Sequence, residues 1–204
     1  MTAFGRKAIQ GMCMKRTKQA GFSLLEVLLV VGVGMVITAV AVPNMVTGIS
    51  NLRLRSSMTS LAGVLQNCRV LAVKQNRHMT TRFDPRPWGI IAYVKLATDT
   101  SSVETGDSQV ELEAPVTKVI PPLGVGDPPV LSTSTLGFTP QTGNPSFTPT
   151  GLPCVYTPGS CPSFGFVYYF HDTRPQGKVG WAALSISPAG RMKKWFWNGS
   201  AWTD

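Results

Sequence analysis

Histidine occurs only twice and cysteine four times in this 204-residue chain, and only 14% of its residues are charged. So few imidazole and thiol ligands leave little for a multi-ligand metal site, which argues against a polyvalent zinc protein. Acid is scarcer than base, with 10 Asp+Glu against 19 Lys+Arg and a net charge of +9. Residues 1–21 hold Arg6, Lys7, Lys15, Arg16 and Lys18 and no acid; taking those five from +9 leaves +4 for the rest. The basic character belongs largely to an N-terminal tail. Catalytic signatures are missing too. His171-Asp172 has no G-x-S-x-G elbow beside it and reads as a strand-end pair. Gly124-Val125-Gly126 lacks a following Gly-Lys-Ser/Thr and is no phosphate loop. His78 reads as the residue closing a helix, without partners for a ligand role. No internal repeat is evident, and nothing points to an enzyme, a metal or a cofactor. What the chain does have is 43% hydrophobic residues, too many for disorder. It also has 16 Pro and 20 Gly, mostly beyond residue 84, which argue against an all-helical bundle. The length suits one domain, or one domain with an appended segment.

The apolar content is concentrated in residues 22–42, where Glu26 is the sole charge. As a helix this run spans roughly 30 Å, the thickness of a bilayer's hydrocarbon core. The basic residues before it outnumber Arg53 and Arg55 after it, so the N-terminus is expected on the cytoplasmic side and the remainder across the membrane. A disposable secretory signal is the competing reading, and Ala39-Val40-Ala41 offers an A-x-A cleavage site. Against it stand the length of the run and the carboxylate within it. A charge at mid-membrane costs about 2.5–3.5 kcal/mol, and somewhat less near an end. A retained helix gains from that cost only if a cation meets Glu26.

The residues around that carboxylate are Gly21-Phe22-Ser23-Leu24-Leu25-Glu26, preceded by a basic leader and followed at Pro43 by the end of the apolar run. This combination resembles the N-terminal signal of type IV pilins and type II secretion pseudopilins. The resemblance implies cleavage after Gly21 by a prepilin peptidase and methylation of the new amine at Phe22. It implies that Glu26, fifth counting from Phe22, pairs with the N-terminus of a neighbouring subunit. It also implies that the helix bends or locally melts at Pro43.

Beyond Pro43, Met58, Leu61, Leu65, Cys68 and Ala72 recur at intervals of three and four, with Arg53, Arg55, Arg69, Lys74 and Arg77 between them. That spacing predicts an amphipathic helix to about residue 78, covering 44–78. From residue 79 the period becomes two, and strands are expected at 80–83, 88–94, 116–120, 165–170, 181–187 and 192–197. Residues 98–163 are crowded with Pro, Gly, Ser and Thr and gather Asp99, Glu104, Asp107, Glu111, Glu113 and Asp127. They read as surface loops with short strands. The expected organisation is a leader over 1–21, a membrane and assembly helix over 22–43, its amphipathic continuation over 44–78, and a β-rich periplasmic domain over 79–204. The fold class is α+β, pilin-like, with the long helix packed on antiparallel sheet.

Two turns sharpen the resemblance: Ser146-Phe147-Thr148-Pro149-Thr150-Gly151, and Ser187-Pro188-Ala189-Gly190-Arg191 between two strands. They are similar to the C-terminal half of the H-type pseudopilin and FimT-like minor pilin family. Pro188 fixes φ and Gly190 can take a positive φ, so the second motif closes a hairpin. Cys13 lies in the leader and Cys68 on the apolar helix face. Cys154 and Cys161, in C-V-Y-T-P-G-S-C, can close a small disulfide loop outside the cytoplasm, the alternative being two free surface thiols. Arg191, Lys193 and Lys194 beside Trp195, Phe196 and Trp197 bring phosphate-pairing and base-stacking groups together. FimT-like pilins bind DNA through a basic G-R-x-R segment here, and this chain reads Gly190-Arg191-Met192-Lys193. The resemblance thus implies a minor pilin or pseudopilin of a type II secretion system or type IV pilus. Its partners would be prepilin peptidase, other pilins and the inner membrane. The alternative is a DNA-binding minor pilin; the competing view of the hairpin is an ordinary strand with aromatics inward and charges outward.

Overall fold

The computed structural model describes residues 23–113, 116–122, 127–173 and 180–204. Gly21 and Phe22 lie outside them. The chain divides into two compact units, residues 1–42 and 43–204. Helix α1 (Leu24–Gln75) supplies the described part of the first and opens the second.

Within 43–204, the helical spacing of the sequence becomes a buried stripe of Leu54, Met58, Leu61, Leu65, Cys68 and Ala72. The helix stops earlier than its apolar spacing predicts. Asn76 takes a left-handed φ of 53°, and Arg77 N–H reaches back to the Ala72 carbonyl at 3.1 Å. This is a Schellman-type cap, for which asparagine is the usual substitute for glycine.

The stripe faces two sheets. The first uses β1 (Met79–Arg86), β2 (Gly89–Leu96), β3 (Gln109–Glu113), β6 (Ser146–Phe147) and β7 (Pro153–Cys154), in the order β3-β2-β1-β6-β7. The second uses β4 (Val116–Lys118), β8 (Gly165–Asp172), β9 (Trp181–Ile186), β10 (Met192–Trp197) and β11 (Trp202–Thr203), in the order β11-β10-β9-β8-β4. All neighbours in both are antiparallel; β5 (Pro140–Gln141) adds a short parallel pairing to β8.

Strand alternation sorts β8 between two cores. Phe166, Tyr168 and Phe170 join the main core under α1, with Ala182, Leu184 and Ile186 of β9. Val167 and Tyr169 face the other way and pack with Ala183, Trp195 and Leu131. β8 and β9 are therefore buried on both faces, which is why they read as continuous apolar runs. The covering layer comes from the Pro-rich central segment. Leu131 N–H donates to the Tyr169 hydroxyl at 2.7 Å, and Trp202 Nε1 donates to the Pro129 carbonyl at 2.7 Å. Helix α2 (Thr133–Leu136) follows, with Ser132 as its N-cap.

The acids of that segment also have internal work. Lys95 on β2 is only 5% exposed, and its Nζ lies 3.0 Å from Glu104, 3.2 Å from Asp107 and 3.7 Å from Asp99. Burial disfavours the ammonium, but the hydrogen bonds and charges of Glu104 and Asp107 outweigh it and hold the lysine pKa above its ordinary value. These carboxylates fasten the loop to the strand.

Both family-like turns share one geometry. In each, the N–H of the glycine donates to the carbonyl three residues back: Gly151 to Thr148 at 2.8 Å, Gly190 to Ser187 at 2.7 Å. In each, the hydroxyl residue's N–H meets the carbonyl four residues on, and its Oγ accepts that residue's N–H: Leu152 to Thr148 at 3.0 Å, Arg191 to Ser187 at 3.1 Å. Gly151 and Gly190 have φ of 80° and 81°, so a hydroxyl residue, proline and glycine each have a job at their position. Both turns lie against Arg69. A Cβ on Gly151 would stand 3.1 Å from Arg69 Nε, and one on Gly190 would stand 3.2 Å from Arg69 Cζ. Arg69 Nη1 donates to the Gly190 carbonyl at 3.3 Å. Gly190→Ala combines a left-handed alanine with displacement of that guanidinium, and should cost about 1–3 kcal/mol. At about 2–4 °C per kcal/mol for a unit of this size, thermal unfolding should show the loss clearly. An unchanged midpoint would remove Arg69 as the reason for glycine there.

Candidate functional site

The helix of the first unit, Leu24–Val42, has a mean hydropathy of 2.5 over 19 residues, none of them buried within the protein. Its large side chains stand open: Leu24 is 78% exposed, and Leu28, Met35 and Val36 are likewise exposed. Its polar groups are few and economical. Thr38 Oγ1 donates back to the Gly34 carbonyl at 2.9 Å, so its hydroxyl is satisfied without water. Glu26 sits in the first turn, where a helix favours negative charge. A Cβ at Gly32 or Gly34 would meet nothing within 4 Å, so neither glycine is required by contacts among the described residues. Helical structure continues through Pro43, where sequence resemblance implies a bend or local melting. Proline has no N–H to give the Ala39 carbonyl, and it falls at the boundary between the two units.

The C-terminal hairpin corrects the expected grouping of bases and aromatics. Alternation along β10 puts Lys193, Trp195 and Trp197 on one face, and Met192, Lys194 and Phe196 on the face toward α1. Lys194 Nζ donates to Thr59 Oγ1 of α1 at 3.2 Å, away from Lys193. Lys193 Nζ lies 2.7 Å from an Asp204 carboxylate oxygen and 4.0 Å from the centre of the Trp195 ring. Lys193 accordingly holds the Asp204 side chain below the usual carboxylate range. Arg191 is exposed beside the turn. Trp195 and Trp197 are 7% and 8% exposed, and the Phe196 ring carries the Arg55 guanidinium at 4.5 Å. The aromatics are thus engaged in packing, and base stacking on them is closed off. Arg191 and Lys193 do border a cavity of about 380 Å³, with Ser185, Ser187, Thr135 and Phe138 on its walls.

The cysteines separate by environment. Cys154 and Cys161 are joined as a disulfide with their Cα atoms 5.3 Å apart. Cys68 is a buried thiol whose pKa burial pushes up to about 12, inert toward ordinary thiol chemistry. His171 stacks on Trp181 with ring centres 4.2 Å apart; burial lowers its pKa against the opposing charges of Asp127 and Asp172. It is a packed strand-end residue. Sequence spacing missed the role of Arg69, placed among the polar helix residues although it spans two turns; the repeated hydroxyl-Pro-x-Gly pattern was the available signal.

The family model described as the prokaryotic N-terminal methylation motif matches residues 16–42. No curated protein matches the chain. Among solved structures, the chain is similar to the type IV minor pilin FimU of Pseudomonas aeruginosa in two crystal forms. For one, identity is 16%, coverage 76% of this chain and 95% of that chain, and TM-score 0.43; for the other, 19%, 74%, 97% and 0.41. The chain thus carries the prokaryotic N-terminal methylation motif on its apolar N-terminal helix, with an α+β unit after it.

Proposed function

We propose that this chain is a minor pilin or pseudopilin, a structural subunit of a type IV pilus or a type II secretion pseudopilus. Prepilin peptidase cuts it after Gly21, Phe22 is methylated, and residues 22–43 hold it in the inner membrane with the β-rich unit in the periplasm. Assembly then moves the same apolar helix from lipid into a filament core, where Glu26 meets a neighbour's N-terminal ammonium. The observation that carries this reading is the Leu24–Val42 helix, in which Glu26 is the one charge and whose large apolar side chains are left uncovered by the described residues. Burying one such side chain is worth about 1.5–3 kcal/mol, so the helix must find an apolar environment outside its own chain. In cells with the matching assembly machinery, the mature form should be recovered in sheared or affinity-captured filaments. A chain found only as a soluble, signal-cleaved product would end the proposal.

A second reading, DNA binding by the hairpin, is favoured by one observation: Arg191 and Lys193 flank the same cavity. Two phosphate contacts on duplex DNA give a slope of log affinity against log salt near −2, and phosphate contacts confer no sequence preference. Mature protein in detergent should show that slope and lose it on Arg191→Gln/Lys193→Gln. Lys194→Gln, on the opposite face, is the control and should change little. Binding that is unmeasurable at about 50 mM salt, or equally sensitive to Lys194, ends this reading.

A further inference from the structure

His78, Cys154 and Cys161 converge at one corner of the 43–204 unit. One ring nitrogen and the two sulfurs all lie within 4.8 Å of one another. His78 occupies the short connection between α1 and β1. Its carbonyl accepts the Ala97 N–H at 2.9 Å, and its ring centre is 5.3 Å from that of Tyr156. Its Nδ1 is buried with no hydrogen-bond partner among the described residues. Leaving a buried polar atom unpaired costs about 1–3 kcal/mol. Imidazole nitrogen is a borderline donor that suits copper and zinc, and here one ring nitrogen lies within 4.8 Å of two sulfurs.

The two cysteines are also held by the backbone around them. Cys154 pairs with Ser146 of β6 on one side and bridges to Ser163 on the other. Val155 N–H donates to the Pro162 carbonyl at 3.3 Å, and Thr157 and Ser160 exchange two bonds of 2.9 Å around Pro158-Gly159. Those backbone bonds do not involve the sulfurs, and the Cα atoms of 154 and 161 stand 5.3 Å apart, so on reduction a dithiol would be pre-organised beside the histidine.

We propose that in its reduced form this corner is a Cu(I) site, ligated by the thiolates of Cys154 and Cys161 and a ring nitrogen of His78. Formation balances in two steps. A dithiol reductant gives two electrons and two protons to the disulfide and becomes a disulfide itself. Cu(I) then displaces both thiol protons to solvent and binds the two thiolates with the neutral imidazole. Thiolate donors select Cu(I) and zinc over hard cations. Three donors, with no fourth His, Cys, Asp or Glu grouped with them among the described residues, suit three-coordinate Cu(I) better than zinc, whose structural sites are closed by four. Cys154 is fully buried and His78 half-buried, which shelters the metal on one side. The site uses nothing from the Leu24–Val42 helix, so it stands or falls separately from the assembly role.

The test uses the full chain in detergent, carrying Cys13→Ser and Cys68→Ser so that only two thiols remain. After anaerobic reduction and removal of the reductant, Cu(I) is titrated against a chromogenic Cu(I) chelator, with Zn(II) run in parallel. One equivalent of Cu(I) should bind. His78→Ala should weaken it by at least about tenfold, since even outer partners of a metal ligand are worth 10–100-fold. Cys154→Ser/Cys161→Ser should abolish it, as should leaving the disulfide closed. X-ray absorption on the reduced parent protein should report two sulfurs and one nitrogen, an answer that does not depend on any variant at the site folding. Binding by the oxidised protein, unchanged affinity in His78→Ala, tighter binding of Zn(II) than Cu(I), or no uptake would each overturn the assignment.

Discussion

Glu26→Val should leave the chain inserted in the membrane and still cleaved after Gly21, yet absent from filaments. The substitution removes the one charge from an otherwise apolar helix, so insertion holds or improves. In the assembled filament a neighbour's terminal ammonium would then face an apolar core without its carboxylate. Breaking one side of a buried ion pair costs about 3–5 kcal/mol. At about 1.4 kcal/mol per tenfold, incorporation should fall by more than about a hundredfold. The readout is the ratio of filament-bound to membrane-bound mature protein. Glu26→Gln, which keeps the volume and loses the charge, should fail in the same way. Normal incorporation of either variant would remove the pairing role while leaving the membrane helix intact.

The second large effect lies at the cleavage point. Intact mass of the membrane-extracted protein should show loss of residues 1–21 and gain of one methyl group. A small residue before the cut lets the backbone enter a confined active site, so Gly21→Leu should leave essentially all of the chain as full-length precursor. The methylation motif matched over residues 16–42 spans this point. A mature N-terminus at Val42 would instead reveal an ordinary signal cut after Ala41, and the assembly role would go with it.

Local rules made part of this protein readable in advance. The Met58, Leu61, Leu65, Cys68 and Ala72 stripe followed from helical period, and each of its members is buried. β10 was readable to the residue from its alternation and the turn before it. β3 was not, because Val110 and Leu112 alternate with acids inside a stretch whose composition reads as loop. Its strand character comes from pairing with β2, a partner that local sequence does not reveal. The aromatics of β10 invited a stacking role for a similar reason. Their burial depends on Leu131, brought over the sheet by a Pro-rich segment that carries no periodic signal, and on Trp202 of β11, whose ring nitrogen bonds that segment at Pro129. Composition also set aside metal ligation because histidine and cysteine are so few. Three of those six residues nevertheless meet at one corner, since strand pairing, not abundance, decides who meets whom.

The single guanidinium beneath two turns has a consequence for how this chain can vary. Arg69 occupies the space above both Gly151 and Gly190, so the three positions are not free to change one at a time. With a short side chain at 69, the space above Gly190 opens, and only the backbone conformation still asks for glycine there. Asparagine, which tolerates positive φ, becomes acceptable at that turn. At Gly151 the Val73 side chain, 3.2 Å from the same Cβ position, still closes the space. With Arg69 retained, its guanidinium has to give way by a few tenths of an ångström to admit any side chain at 190. A double substitution pairing Arg69 with Gly190 should therefore be less damaging than the separate effects predict, whereas pairing Arg69 with Gly151 should bring no such relief. In homologous chains positions 69 and 190 should drift together, an epistatic signature that ties a distant turn to one helix residue.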